Sequence, residues 1–163
     1  MLGHTTYPHI DLTPIWTLVE AVADVYEARR RHLATSQLWR GQQSTHLVGI
    51  AGQVGVALIT GQPTNVAFLD AGDGGHDTPT GVDIKTATYW PPILKHPANA
   101  KRWPQAFGLA HLSQHHIVTF CGFVTADELR DRGYQRTFNP NAGPQLCLNH
   151  DQLRLAQEGT LAR

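Results

Sequence analysis

The sequence predicts one domain with a mixed α/β fold. Its 163 residues suit a single domain. Two stretches carry apolar residues at three- and four-residue steps, which predicts helices, and several apolar or alternating stretches predict strands. The predicted order is helix, helix, strand, turn, strand, loop, strand, helix, strand. Because strands and helices do not alternate regularly, we expect a mixed sheet and not a regular doubly wound fold.

The first helix is predicted over residues 14–33. Residues 1–12 look irregular, since Pro8 and two histidines interrupt any pattern. Thr13-Pro14 then provides an N-cap followed by proline at the first helical position. Apolar residues from Ile15 to Tyr26 recur at helical spacing, which supports the helix.

The second helix is predicted to begin near Thr45 and to end near Gly61-Gln62-Pro63. Glycine stands at every third position within it, at Gly49, Gly52 and Gly55. Each glycine weakens a helix by about 1 kcal/mol relative to alanine. We therefore expect that backbone or substrate approaches this helix closely.

The middle of the chain predicts two strands separated by a turn. Asn65–Asp70 is predicted as a short strand, and the glycine- and aspartate-rich stretch from Ala71 to Pro79 as a turn. Gly81–Thr88 is predicted as a strand, with Val82 and Ile84 on one face and Asp83 and Lys85 on the other.

The last third predicts a loop, a buried strand and a capped helix. Four prolines make residues 90–105 mostly loop, and His115–Val124 is predicted as a buried strand. The stretch from Thr125 to Glu128 is a capping box, so a helix is predicted from there to about Arg132. A short strand near 145–148 and a helical turn from about Asp151 complete the predicted elements.

Charge and cysteine content limit the class of protein. Thirteen basic residues balance thirteen acidic ones, so any contact with DNA has to come from local patches. The two candidate patches are Arg29-Arg30-Arg31 with His32, and the set Lys95, His96, Lys101 and Arg102 beside Trp103. Each patch also fits a solvated helix end or loop.

The two cysteines, Cys121 and Cys147, have no metal-binding spacing and do not make a disulfide framework. No apolar run approaches the roughly 18 residues of a membrane span, and the N-terminus lacks the pattern of a signal peptide. We expect a reduced cytoplasmic protein without a membrane partner.

Asp83 and Lys85 carry the strongest indication of chemistry. Two residues apart in a strand, they project from the same face. Asp77 lies six residues before Asp83, and the turn between them can return its carboxylate to the same place. Two carboxylates and a backbone carbonyl suit Mg²⁺, which activates water, while a lysine can orient that water or neutralise charge on a phosphate. The alternative is a surface ion pair on an edge strand.

Three segments, 49–57, 72–77 and 82–87, together resemble small PD-(D/E)xK nucleases of phages and bacteria. The family pattern is a helix reading Gly-x-x-Gly-Glu, a glycine-rich turn ending in aspartate, and a strand reading Val-Asp-Val-Lys. The resemblance covers roughly residues 29–155. It implies a restriction-endonuclease-like fold, a mixed β-sheet core flanked by helices, and a Mg²⁺-dependent deoxyribonuclease in which Mn²⁺ can also serve.

The resemblance implies roles for individual residues. Asp77 and Asp83 would be metal ligands, Ile84 would contribute its backbone carbonyl, and Lys85 would be the catalytic lysine. Asp73 is the next candidate after Asp77. Gln53 stands where the family has glutamate, which keeps the size but loses the negative charge.

Three interpretations of Gln53 stay open: drift in an active enzyme, a degenerate nuclease kept for binding, and a deliberate replacement that traps a complex. The alternative function is therefore a catalytically inactive DNA-binding or virion-associated module. For DNA contacts we expect Arg30, Tyr89, Trp90, Lys101 and Arg102, with core or loop packing as the alternative for the aromatic residues. Cutting both strands of a duplex would suit a homodimer. A zinc pair of His111 and His115 on a helix face is a weaker alternative, because the sequence shows no third ligand.

Overall fold

The computed structural model describes residues 6–31, 45–63 and 81–155. The helices are α1 (Trp16–Arg31), α2 (Thr45–Thr60) and α3 (Ala126–Arg132). The strands are β1 (His9–Asp11), β2 (Val82–Ala87), β3 (Ile93–Pro97), β4 (Ala106–Leu112), β5 (Ile117–Thr125), β6 (Tyr134–Arg136) and β7 (Gln145–Asn149). Short 3₁₀ turns cover Thr13–Ile15, Pro140–Ala142 and His150–Gln152.

The strands form two sheets. The larger sheet has the order β1-β5-β4-β2, in which β2 and β4 run parallel while β4–β5 and β5–β1 run antiparallel. The smaller sheet has the order β3-β7-β6 and is antiparallel throughout. The parallel pair requires a crossover, and the chain segment that makes it contains β3. The predicted mixed α/β class is confirmed.

Helices α1 and α2 cover one face of the four-stranded sheet. The core on this side is formed by buried residues of both helices and of β2, β4 and β5, among them Val19, Ile50, Ile84, Ala110 and Phe120.

A close approach to α2 is present at two of its glycines, but side chains of the sheet approach there, not the expected backbone or substrate. A methyl group added at Gly52 would overlap the Thr86 side chain, and one added at Gly55 would lie 2.5 Å from Val118. The neighbour is therefore the protein's own sheet. At Gly49 an added methyl group would have no neighbour within 4 Å.

The three-stranded sheet and α3 cover the other face. Their shared core contains Leu94, Phe107, Cys121, Leu129 and Leu148. The four-stranded sheet therefore lies between a helical layer and a second layer of mixed structure. Its central strands are apolar on both faces, as expected for strands that are covered twice.

Most predicted elements agree with the structure. The first helix begins as a 3₁₀ turn at Thr13 and continues as α1, but the predicted Thr13 N-cap was wrong, because Leu12 occupies the cap position and no side chain caps the turn. The second helix ends at Thr60 and is followed by Gly61, whose φ of 68° places it in the left-handed region. The capping box at the start of α3 is present. Strands β2, β5 and β7 lie within a few residues of their predicted bounds. The predicted strand Asn65–Asp70 and the turn that follows lie outside the described residues.

Residues 90–105 are mostly loop, as predicted, but they also contain β3, which was missed. This strand reads Ile-Leu-Lys-His-Pro and is formed by pairing with β7, which local propensity does not reveal. Strands β1, β4 and β6 were also missed. Strand β4, Ala-Phe-Gly-Leu-Ala-His-Leu, contains residues with weak β propensity and is buried in the centre of the sheet.

The possible zinc pair on a helix face was wrong. His111 belongs to β4, whereas His115 lies in the turn that joins β4 to β5. Residues four apart on a strand-and-turn segment do not share a face as they do on a helix.

Among the helices that the structure describes, none combines the length and apolarity needed to cross a bilayer.

Candidate functional site

Asp83 and Lys85 form an ion pair on β2, with 2.6 Å between Lys85 Nζ and Asp83 Oδ2. The strand pleat explains the pairing, because residues two apart share a face. Val82 and Ile84 point into the core under the helices, so the ion pair projects from the opposite face. The Asp83 side chain is 15% exposed and that of Lys85 is 39% exposed. The pair thus lies at the margin of the inter-sheet core, with the ammonium nearer to solvent.

His96 of β3 lies beside this pair. Its side chain packs between aromatic rings, with centroid distances of 4.4 Å to Trp103 and 4.8 Å to Phe107. Phe107 is the register partner of Asp83 in the parallel β2–β4 pair. The imidazole is therefore placed over the sheet face from which the carboxylate projects.

The His96 ring is buried without satisfied nitrogens. The residue is 7% exposed, and neither Nδ1 nor Nε2 has a hydrogen-bond partner among the described residues. An unpaired polar group in a protein interior costs about 1–3 kcal/mol. Such a group calls for an explanation, and the known ones are backbone strain, a catalytic role, or a water or ion that completes the site.

Burial lowers the pKa of His96 below its ordinary value of 6.5. The Lys85 ammonium lowers it further, while the Asp83 carboxylate opposes the shift. The backbone of Arg102 also opposes the lowering of the His96 pKa, although its contact with the ring does not have the geometry of a hydrogen bond. The imidazole is consequently neutral at neutral pH, with one nitrogen able to donate and the other able to accept.

The described part of the site supplies part of a ligand set for a divalent cation. The Asp83 carboxylate is the hard oxygen donor that Mg²⁺ prefers, and a neutral imidazole nitrogen suits Mn²⁺ and other transition metals. Within residues 6–31, 45–63 and 81–155, no cluster of three or more His, Cys, Asp or Glu side chains is placed to hold a metal ion. The predicted ligand Asp77 and its alternative Asp73 lie outside the described residues.

Gln53 belongs to the helix that covers one face of β2, whereas the Asp83–Lys85 pair projects from the other face. Gln53 is a half-buried residue of α2, and the adjoining Gly52 packs on Thr86 at the helix-covered face of the strand. Ile84, whose carbonyl was predicted as a ligand, points its side chain into the same helical core.

The predicted DNA-contacting residues lie on the surface where they are described. Tyr89 and Trp90 lie two and three residues after the end of β2 and are both exposed. Trp90 packs near three other rings. Its ring centroid lies 6.1 Å from that of Tyr7, 5.3 Å from that of His111 and 5.1 Å from that of His150. Trp90 is thus supported by neighbouring rings while half of its surface stays open.

The patch predicted at Lys95, His96, Lys101 and Arg102 is divided by the strand pleat. Lys95 faces outward, His96 is buried, and Lys101 and Arg102 are exposed in the loop after β3. Arg30 belongs to α1, and its side chain lies outside the described residues.

The sequence places His96 in a segment predicted as loop, so His96 was expected to be part of a charged surface patch. One feature of the sequence indicates a buried His96. Leu94 and His96 alternate with more polar or exposed neighbours, which is the period of a half-buried strand.

No protein-family model, no curated protein and no solved structure matches this chain.

Proposed function

We propose that this chain is a Mg²⁺-dependent deoxyribonuclease with a restriction-endonuclease-like fold, which hydrolyses phosphodiester bonds by attack of an activated water. The observation that supports this most is the Asp83–Lys85 pair on one face of β2, 2.6 Å apart and beside the buried, unpaired His96. A simple surface ion pair accounts for Asp83 and Lys85, but it gives no reason to bury an unsatisfied imidazole next to them.

Each residue has a distinct part in this proposal. Asp83, together with Asp77 and the carbonyl of Ile84, would hold the cation, which when bound supplies Lewis acidity and a water of lowered pKa. Once Asp83 is engaged in this way, Lys85 is released to face the scissile phosphate, where its charge opposes the negative charge of the transition state. The neutral His96 accepts or donates a hydrogen bond at the same face. Arg30, Tyr89, Trp90, Lys101 and Arg102 would contact the DNA around it.

The alternative is a DNA-binding module that does not cut. Two observations favour it: Gln53 has no charge where the resembling enzymes have glutamate, and Lys85 already neutralises Asp83 in the described structure. The balanced net charge provides no general attraction to phosphates, so DNA binding in either function would depend on local patches.

Cleavage of supercoiled plasmid separates the two functions. The chain and the variants Lys85→Ala, Asp83→Asn and Gln53→Glu would be incubated with plasmid in Mg²⁺ or Mn²⁺. Loss of one group that stabilises transition-state charge costs about 10²–10³ in rate, so Lys85→Ala and Asp83→Asn should nick at least 100-fold more slowly. Arg154→Ala is the matched control, because it removes an exposed ion pair of similar length, 2.7 Å to Glu128, elsewhere on the molecule.

The outcomes are distinct when DNA binding and far-ultraviolet circular dichroism are measured in parallel. Nicking by the unaltered chain that is lost in Lys85→Ala, with fold and binding retained, supports the enzyme. Nicking only by Gln53→Glu supports a nuclease scaffold that no longer cuts. If no form nicks and Lys85→Ala binds DNA as tightly as the others, the nuclease proposal fails.

The quaternary arrangement follows from the mode of cutting. An enzyme that cuts both strands of a duplex at one place is suited to a homodimer, since two-fold symmetry matches antiparallel strands. Light scattering during size-exclusion chromatography, with and without duplex DNA, would show whether two copies assemble.

A further inference from the structure

The outer face of the three-stranded sheet carries basic and aromatic side chains together. Strand register places Lys95, Cys147 and Tyr134 side by side, and likewise Pro97, Gln145 and Arg136. Leu94 and Leu148 point into the inter-sheet core. Because neighbours along a strand alternate, Lys95, Tyr134 and Arg136 belong to the outward face. Cys147 lies between Lys95 and Tyr134 on the same face but is fully buried, so the face is open only around it.

Two aromatic rings next to this face hold the basic groups in place. Lys95 Nζ lies 4.0 Å from the centroid of Phe138 and 5.0 Å from that of Tyr89. Arg136 Cζ lies 4.7 Å from the Phe138 centroid. These distances are those of cation–π contacts. We call the residues Tyr89, Lys95, Tyr134, Arg136 and Phe138 the cation–aromatic surface.

The three rings of this surface remain accessible. Tyr89 is 43% exposed, Phe138 is 40% exposed and Tyr134 is 37% exposed. Isolated exposed rings are ordinary on a protein surface. Three half-exposed rings interleaved with two cations are instead the composition of single-strand-binding surfaces, where bases stack and the backbone is neutralised.

The positive charge of the surface is not cancelled by an acidic partner. None of its five members is acidic, and the ion pairs found among the described residues do not include Lys95 or Arg136. Both cations also act on the neighbouring Cys147 of β7. Burial raises the pKa of its thiol, and the charges of Lys95 and Arg136 oppose that shift. A polyanion would therefore find unpaired charge here.

We propose that the cation–aromatic surface binds a segment of single-stranded DNA, with bases stacked on its aromatic rings and phosphates against Lys95 and Arg136. A single strand is specified because stacking requires the open face of a base, and a duplex hides that face between neighbouring pairs. Arg136 over Phe138 extends the stacking area, since a guanidinium plane also stacks on bases.

This inference goes beyond the proposed nuclease activity and does not require cleavage, although it shares Tyr89 with the DNA contacts proposed above. The two sites are nevertheless close along the chain. Tyr89 follows Lys85 by four residues, a span of at most roughly 14 Å. Only Tyr89 links the two sites along the chain, and a protein without cleavage activity would still bind a strand on the surface.

Fluorescence anisotropy tests the proposal. The full chain would be titrated into a labelled 20-nucleotide oligo-dT and a labelled 20-base-pair duplex, with EDTA present so that neither probe is cut. We expect the single strand to bind at least 10-fold more tightly than the duplex. Replacing both rings, Tyr89→Leu with Phe138→Leu, should weaken oligo-dT binding about 5- to 150-fold for each stacked base lost.

A second pair of variants tests the charges. Lys95→Gln with Arg136→Gln should flatten the dependence of log affinity on log salt by about 1.4, since each phosphate contact to a single strand contributes roughly 0.7. Arg154→Gln is the control, because it removes an arginine that also lies over an aromatic ring, 5.4 Å from Phe123, away from this surface.

Circular dichroism of every variant would establish that the fold is retained. The proposal is overturned if the duplex binds as tightly as oligo-dT, if neither probe binds, or if the folded ring and charge variants bind like Arg154→Gln. An oligo-U probe that binds 10-fold more tightly than oligo-dT would overturn the choice of DNA and assign the surface to RNA. Cleavage measurements on the same variants are separate, so failure here leaves the nuclease test intact.

Discussion

Gly52 of α2 lies so close to Thr86 of β2 that no side chain fits between them. The Thr86 hydroxyl at this contact is buried and has no hydrogen-bond partner among the described residues. The contact sets the distance between the helix and the edge of the four-stranded sheet. Thr86, Ile84 and Val82 share the face of β2 that the helix covers, and Asp83 and Lys85 project from the other face.

Gly52→Ala should destabilise the protein, because an added methyl group overlaps the Thr86 side chain. Overpacking of this kind costs about 1–3 kcal/mol. Gly49→Ala is the matched control in the same helix, where the added methyl group meets nothing within 4 Å. It should stabilise by about 0.5–1 kcal/mol through helix propensity. Urea denaturation measures both changes, and equal effects would contradict the proposed contact.

Thr125→Ala should remove the cap of α3 and destabilise the protein by about 1 kcal/mol. Thr125 Oγ1 accepts a hydrogen bond from the Glu128 amide at 3.2 Å, and the Thr125 amide donates to Glu128 Oε2 at 2.9 Å. Thr125→Ser keeps both groups and should leave the free energy of unfolding nearly unchanged. A loss of the same size in both variants would show that the methyl group, and not the cap, matters.

Stability should fall as the pH drops below the ordinary Glu128 pKa of 4.5. The backbone hydrogen bond from Thr125 lowers the pKa of Glu128, helped by the Thr125 hydroxyl and Arg154 and opposed by burial. A carboxyl with a depressed folded-state pKa stabilises the protein above its unfolded pKa, and this contribution disappears as pH falls through the folded value. Glu128→Gln should flatten this part of the profile, measured by urea denaturation from pH 6 to pH 3. An unchanged slope would show that Glu128 is not a source of it.

His96→Phe should retain or raise stability while it reduces cleavage. Phenylalanine preserves the ring packing on Trp103 and Phe107 and removes two buried nitrogens without partners, which is neutral or favourable for folding. If His96 acts in the site, nicking should slow at least 10-fold despite the intact fold. Undiminished nicking would assign His96 to packing alone. Thermal denaturation and the plasmid assay provide the two readouts.

Both cysteines should be unreactive in the folded protein. Cys121 and Cys147 are fully buried, and desolvation raises the pKa of Cys121 to about 12 and that of Cys147 above its ordinary value. Because the thiolate is the reactive form, a chromogenic thiol reagent should label neither cysteine at pH 8 until urea unfolds the chain. Rapid labelling of the native protein would contradict this packing.

Local signals in the sequence were sufficient for the elements with strong patterns. The capping box at Thr125, the glycine at the end of α2 and the alternation along β2 are each set by residues within a few positions. For the same reason, the prediction that Asp83 and Lys85 share a face was confirmed. Their separation of two residues determines the face through the pleat, whatever the rest of the fold does.

The elements that were missed depend on distant partners. Strand β3 forms where Ile93–Pro97 pairs with β7, and Tyr134–Arg136 becomes β6 by pairing with the same strand. Neither segment has strong β propensity of its own, and propensity is readily overridden by pairing and burial. A short polar strand therefore cannot be distinguished from a loop by reading the sequence alone.

By itself, the sequence determined the mixed α/β class, the two long helices, and the placement of a carboxylate and a lysine on one face of a strand. Only the tertiary structure decided what lies next to them. It buried His96 beside Asp83, placed Gln53 on the helix over the opposite face, and gathered Lys95, Arg136 and Phe138 onto one surface. The physical reason is range: pleat and helix periodicity act over two to four residues, whereas these neighbours meet through sheet pairing and core packing between distant parts of the chain.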